Sequence, residues 1–312
     1  MRSDHRGAGL AIALISGLVA LLPARPALAY CRTTSCGAAG TGQVCVPSQT
    51  GDCGLTLFWA SPCVGYSIQQ DASKKVSLAV VEKIVKDSFA AWEGATCSGG
   101  APRILVTELA AAECTKHEYN QNKGNTNLIV FRDDKWPYEG SSNTLALTTV
   151  TYNLDTAEIY DADMELNSAD SAITTSDTDV QFDLQSITTH EAGHFLGLAH
   201  SMTLSATMFP DYKATQTGLR TLDPDDVLAI CATYPAGAPI PPSCDTTPRH
   251  GFSTICASEQ TTTTGDGDSS TTGGGCGCAI EATTLPVGSA GIAAAIAALG
   301  VVARRRSRRS AR

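Results

Sequence analysis

The chain has 312 residues, with 22 basic and 31 acidic side chains and 12 cysteines. Arg2 and Arg6, the apolar run Leu10 to Leu22 and Ala27-Leu28-Ala29 read as an export signal over residues 1–29, cleaved before Tyr30. Without that signal and the basic C-terminal end, residues 30–303 hold 13 basic against 30 acidic side chains, which excludes a nucleic-acid partner because phosphate binding needs a basic face. Ten cysteines between Cys31 and Cys256 of an exported chain read as disulfides and exclude the cytosol.

Residues 30–55 form a Cys-rich segment; over 30–63, Cys31, Cys36, Cys45, Cys53 and Cys63 lie among Gly, Thr and Ser, with too few apolar residues for a core. Phe58-Trp59 and Tyr66-Ser67-Ile68 read as a first strand. Over 77–93, Val80, Val81, Ile84, Val85, Phe89 and Trp92 share one helical face, with Lys83, Lys86 and Asp87 turned to water and Gly94 at the stop. Short β-rich runs follow at Arg103–Leu109, Asn127–Phe131, Leu145–Tyr152 and Ala157–Leu166, which predicts a sheet. Cys97 with Cys114, and Cys244 with Cys256, are local candidate pairs, although connectivity is not fixed by sequence. His117 and His250, isolated, read as plain surface residues. Asp183 is an N-cap for a helix from Leu184, and Asp223-Pro224-Asp225-Asp226 opens another through Tyr234. The body is one domain over 56–235, followed by a disulfide-containing extension at 236–259 and a Thr/Gly/Ser linker at 260–275.

The informative segment is His190-Glu191-Ala192-Gly193-His194-Phe195-Leu196-Gly197-Leu198-Ala199-His200. Residues four apart on a helix differ by ~40° in direction and ~6 Å along the axis, so His190 and His194 can share one small cation. Two imidazoles suit zinc. Glu191, beside the first ligand but turned from direct ligation, fits a general base for a water. Gly197, able to adopt positive φ, lets the helix stop so that His200 swings in as third ligand.

H-E-x-x-H-x-x-G-x-x-H resembles the zinc motif of the metzincins, and Ala206-Thr207-Met208-Phe209-Pro210-Asp211-Tyr212 resembles the matrixin form of their Met-turn. Ser201 and Pro210 also resemble matrixins and stand against an astacin-like peptidase. The similarity spans about 56–235. It implies an α+β, metzincin-like fold: a mixed five-stranded twisted sheet with helices and a central zinc cleft. Met208 would be an apolar floor beneath the metal. The resemblance further implies a zinc-dependent endopeptidase acting on protein or peptide substrates, with substrate extended along an edge strand. Ala157–Asn167 is the candidate edge, and the loop Phe209–Thr221 the wall of the pocket for the side chain following the scissile bond, lined by Pro210 and Tyr212. The rival from another class is a non-catalytic surface module with a structural zinc; an intact Glu191 argues against it.

Two departures qualify the resemblance. Too few histidines remain for a second, structural zinc, so a single catalytic Zn2+ is expected. No P-R-C-G-type latency motif precedes the domain, so the Cys31–Cys63 segment reads as a disulfide clamp. The Asp-rich stretch Asp155 to Asp183 is a candidate for Ca2+, with a solvated acidic loop as the alternative. At the end, residues 276–312 comprise Cys276-Gly277-Cys278, an uncharged span from Ala282 to Ala303, and Arg304, Arg305, Arg306, Arg308 and Arg309. The span is long enough to cross a membrane, with its basic flank inside. The order of these parts resembles the C-terminal sorting signal of myxobacterial surface proteins, which implies a cut near the Cys pair and anchoring at the outer cell surface.

Overall fold

The computed structural model describes residues 30–35, 54–138, 143–260 and 276–283, the last as backbone alone. The export signal, Cys36, Cys45, Cys53, the linker at 261–275, most of the apolar span and the Arg cluster lie outside the described residues. Among the described residues, no helix is long and apolar enough to cross a membrane.

The N-terminal segment enters as β1 (Cys31–Arg32), and β2 (Cys63–Ile68) follows it. Helix α1 (Leu78–Glu93) runs from Ser77 to Gly94 and buries Val81, Ile84, Val85, Ser88, Phe89 and Trp92. Val80, assigned to that face by periodicity, is instead 39% exposed. It sits at the rim of the stripe. The chain returns as β3 (Leu105–Glu108), parallel to β2, so that α1 is the crossover a parallel pair requires. Strands β4 (Leu128–Phe131), β5 (Thr144–Tyr152) and β6 (Ile159–Leu166) complete the body of the sheet. Its order is β5-β6-β4-β2-β3; β5 runs antiparallel to β6 and every other pairing is parallel. This is the mixed five-stranded sheet that the motif implied.

The expected edge strand is placed elsewhere. Strand β6 has neighbours on both sides and all eight of its residues are buried. Its alternating Asp161, Asp163 and Glu165 suggest a solvated face, yet segment 116–138 covers them. The Glu118 amide donates to Asp163 Oδ2 at 2.9 Å, while Arg132, Tyr138 and His117 converge on Glu165. Within the five-stranded body, the edge beside the site is β5.

A small parallel pair, β7 (Ile173–Thr174) with β8 (Phe182–Asp183), leads into α2 (Leu184–Phe195). The Asp183 carboxylate caps this helix by accepting from the Ser186 amide, as the sequence predicts. Helix α2 packs on α1 through Phe89 against Phe195, the Ser88–Thr188 hydroxyl pair, and Trp92 Nε1 donating to Thr189 O. After α2 come β9 (Leu198–Ala199), β10 (Asp211–Lys213) and α3 (Pro224–Thr233), the last opened by a complete capping box on Asp223. A final strand, β11 (Cys276–Thr283), joins β5 and β10 and extends the sheet to the order β10-β11-β5-β6-β4-β2-β3. Ala282 and Thr283, the first residues of the expected membrane span, belong to this strand.

The local cysteine pairings are not made. The bonds are Cys63–Cys244, Cys97–Cys231 and Cys114–Cys256, at sequence separations of 181, 134 and 142. Cys31 is disulfide-bonded as well. The reason is that 236–259 folds back along the sheet margin: Glu113 and Cys114 amides donate to Thr254 O, and the Asn125 amide donates to Gly251 O. Cys244 and Cys256 therefore each meet a partner from the body. Closing loops of this size constrains the unfolded chain more than a local pair does.

Candidate metal centre

Helix α2 carries His190, Glu191 and His194, all essentially excluded from solvent. Gly197 follows at φ 86, and a Cβ there would meet Leu57 O at 2.8 Å, so the chain reverses where only glycine fits. His200 then enters from the end of β9, and the candidate ligand atoms of the three histidines lie within 4.8 Å of one another. The turn is braced from outside. Strand β1 pairs antiparallel with β9, Cys31 opposite Ala199, and Thr33 Oγ1 donates to Leu198 O. The N-terminal segment thus clamps the stretch that delivers His200.

Hydrogen bonding fixes the tautomers of two rings. His190 Nδ1 lies 2.6 Å from Thr207 O and His194 Nδ1 lies 2.8 Å from Leu198 O. Carbonyls only accept, so both Nδ1 atoms carry the proton. The two Nε2 atoms, 3.1 Å apart, then face each other as bare lone pairs. That juxtaposition repels unless a cation lies between them, and nitrogens bound to one tetrahedral zinc at ~2.0–2.1 Å would stand about 3.3 Å apart. The residues fit zinc. Burial and the neighbouring His200 push His190 down to about 3, and burial with His200 and His190 pushes His194 well below the ordinary imidazole range, which keeps the rings neutral for ligation. The backbone carbonyls orient the rings in the manner usual for metal-ligating histidines.

Glu191 is buried on the same helix, and its Oε2 accepts from the Thr148 hydroxyl of β5 at 2.5 Å. A carboxylate tied to the open strand stands beside the histidine cluster without belonging to the ligand group.

Residues 58–235 match the family model described as Matrixin. The chain belongs to the matrixin family. It is 27% identical to neutrophil collagenase of Homo sapiens over 195 residues, 61% of this chain and 36% of that protein. It is 35% identical to metalloendoproteinase 1-MMP of Arabidopsis thaliana over 105 residues, 32% of this chain and 26% of that protein. The matched regions thus span about a quarter to just over a third of these relatives.

In this matrixin, Met208 lies under α2: a Cβ added at Gly193 would stand 2.2 Å from Met208 Sδ and 2.8 Å from Trp92 Cζ2. The Met-turn is held by α3. Asp226 accepts from the Thr207, Met208 and Asp223 amides, and burial pushes its carboxyl up to about 6 although these three donors pull it down. Ser201 Oγ donates to Asp225 Oδ2 at 2.5 Å, tying the loop after His200 to the same helix turn. The acids read in sequence as helix-start residues therefore also anchor both segments around the site. Only their i+3 spacing was visible, not the partners some 20 residues upstream.

Pro210 is half-buried at the start of the expected pocket wall, and Tyr212 is buried on β10, its hydroxyl accepting from the Asp183 amide and donating to Gln216 O. Thr148 was not singled out by sequence, because a threonine in a β-run carries no sign of what lies opposite. His117 and His250 are exposed, as the sequence reading expects, and each has a partner: His117 Nδ1 lies 3.1 Å from Glu165 Oε2 and His250 Nε2 lies 3.0 Å from the Tyr119 hydroxyl. The stretch Asp155 to Asp183 is not one acidic loop. Asp161 and Asp163 are buried in β6, and Asp183 pairs with Arg220. Among the described residues, the other group of potential ligands within reach of one ion is Cys114, Glu118 and Cys256, whose two cysteines form a disulfide.

Proposed function

We propose that this chain is an exported zinc-dependent endopeptidase that hydrolyses peptide bonds of extracellular proteins. The observation that carries the reading is the pair of bare Nε2 atoms on His190 and His194, completed by His200, with the Glu191 carboxylate held beside them against β5. A purely structural site would be closed by a fourth protein ligand and would have no use for a buried carboxylate next to it.

His190, His194 and His200 would hold one zinc, which supplies Lewis acidity toward water and the scissile carbonyl. Glu191 takes the proton of the attacking water and hands it to the departing amide nitrogen. Thr148 keeps the carboxylate aimed toward the strand along which substrate lies. Substrate adds to the sheet next to β5, its backbone pairing with that strand, and Pro210 and Tyr212 help form the wall of the pocket beyond the cut. The Met208 floor and the anchors from α3 keep the histidines at fixed spacing, which a site of this kind needs to within a fraction of an ångström. The terminal segments support export and retention at the outer cell surface through the C-terminal span or sorting machinery.

Replacing Glu191 with Ala tests the reading. Zinc content should stay at one per chain while hydrolysis of a mixed peptide library falls by ~10² or more. Unchanged hydrolysis would overturn the assignment of the base. A wild-type chain that binds zinc and cuts no peptide would establish the non-catalytic module instead.

A further inference from the structure

The open side of β5 is occupied by the chain's own C-terminal strand. Strand β11 lies antiparallel to β5, with Cys276 opposite Val150, Gly277 opposite Thr149, Cys278 opposite Thr148, Ala279 opposite Leu147 and Ile280 opposite Ala146. After a bulge, Glu281 pairs with Thr144. From Glu281 onward the strand is held on its other edge too, parallel to β10, with Glu281 opposite Asp211, Ala282 opposite Tyr212 and Thr283 opposite Lys213. It also comes within 8 Å of α2, Cα to Cα.

This is the path that the proposed function gives to a substrate: extended, added to the β5 edge, and bounded after the cut by the segment that follows the Met-turn. Two register marks locate the reacting bond. Cys278 stands opposite Thr148, whose hydroxyl binds Glu191. Glu281 is the first residue paired with the wall. Between these marks lie Ala279 and Ile280, so the peptide bond joining them falls between the register position of Thr148 and the first residue paired with the wall.

We propose that the chain processes its own tail by hydrolysing the Ala279–Ile280 bond. The inference rests on the peptidase reading and names the first substrate of that site. Water adds across the amide. The C–N bond breaks, Ala279 becomes a new C-terminal carboxylate, Ile280 a new amino terminus, and the water proton passes through Glu191 to the departing nitrogen. The domain keeps Cys276 and Cys278, whereas Ile280–Arg312 is released from it. Tethering favours this encounter. Residues 261–275, only Thr, Gly, Asp and Ser, join the domain to this strand in one chain, so the encounter is intramolecular and needs no second molecule. Until the bond is cut, the tail competes with any other peptide for β5.

The test uses the full chain loaded with zinc, as wild type, Glu191→Ala, Ile280→Pro and the double variant. Intact mass of the wild type should show loss of residues 280–312 at a rate independent of protein concentration, while Glu191→Ala keeps its tail. Proline removes the amide at position 280 and its ladder bond, so Ile280→Pro should retain the tail. A readout independent of turnover is amide exchange. In Glu191→Ala, the amides of Ala146 to Val150 should exchange at least ~10-fold more slowly than in the double variant. Equal exchange in the two, cleavage at any bond other than Ala279–Ile280, or a rate that rises with protein concentration overturns the inference. So does a tail left intact by a wild-type chain that hydrolyses a foreign peptide, an outcome that leaves the peptidase reading standing. Hydrolysis of neither overturns both.

Discussion

The hydroxyl of Thr148 donates to Glu191 Oε2 at 2.5 Å, linking the strand that pairs with β11 to the helix that carries the proposed base. A hydrogen bond to a charged group contributes about 1.5–3 kcal/mol. Thr148→Val should therefore lower kcat by roughly 10- to 100-fold, with zinc content unchanged and KM little altered. Steady-state kinetics beside metal analysis checks this; a change in KM alone would mean that Thr148 acts only through the strand.

The facing Nε2 atoms of His190 and His194, 3.1 Å apart, make the histidine cluster unfavourable without a cation. Removing zinc with a chelator should lower Tm and abolish peptide hydrolysis, and adding back one equivalent should restore both. His200→Ala should cut zinc occupancy markedly while leaving the two α2 ligands in place. Metal analysis finding two tightly bound zincs per chain would contradict the single-site expectation.

A Cβ at Gly193 would stand 2.2 Å from Met208 Sδ. Overpacking of this order costs about 1–3 kcal/mol, so Gly193→Ala should lower Tm by roughly 2–10 °C in a domain of this size. Met208 is flexible and can yield part of that space; Trp92, 2.8 Å from the same position, is rigid. Adding Met208→Ala should then recover part, not all, of the loss. Full additivity in the double variant would show that the two residues do not press on each other.

His117 and Glu165 define a pH window. Contact with Glu165 raises His117 above its ordinary 6.5 despite partial burial. Burial pushes Glu165 up, but His117, Tyr138 and Arg132 together hold it below its ordinary 4.5. The raised imidazole stabilises the fold below 6.5 and loses that effect as pH rises through its folded value. The depressed carboxylate stabilises above 4.5 and loses that effect as pH falls through its own folded value. The difference in Tm between wild type and His117→Gln should therefore be greatest between pH 4.5 and 6.5 and shrink on either side. Because His117 is partly exposed, the maximum is about 1–3 °C. A difference that grows above pH 8 would contradict the pairing.

By itself the sequence determined the local devices: the span of α1, the Asp183 and Asp223 caps, the positive-φ reversal at Gly197, and the spacing that places His190 and His194 on one side of α2. These follow from periods and offsets of a few residues, which helix geometry fixes without reference to anything distant. Pairings between remote segments were decided only by the tertiary structure. The resemblance made Ala157–Asn167 the candidate edge, yet β6 lies between β4 and β5, and its acids find partners in residues 116–138. Cys97 and Cys114 look like neighbours, but the chain brings Cys231 and Cys256 to them. Thr148 gains its role from a helix 43 residues away, and the tail that reads as a span and a basic flank begins as a strand on the open edge of β5. Hydrophobic burial and strand pairing reward any compatible segment regardless of its distance along the chain. Which one arrives is therefore settled by the packing of the whole domain.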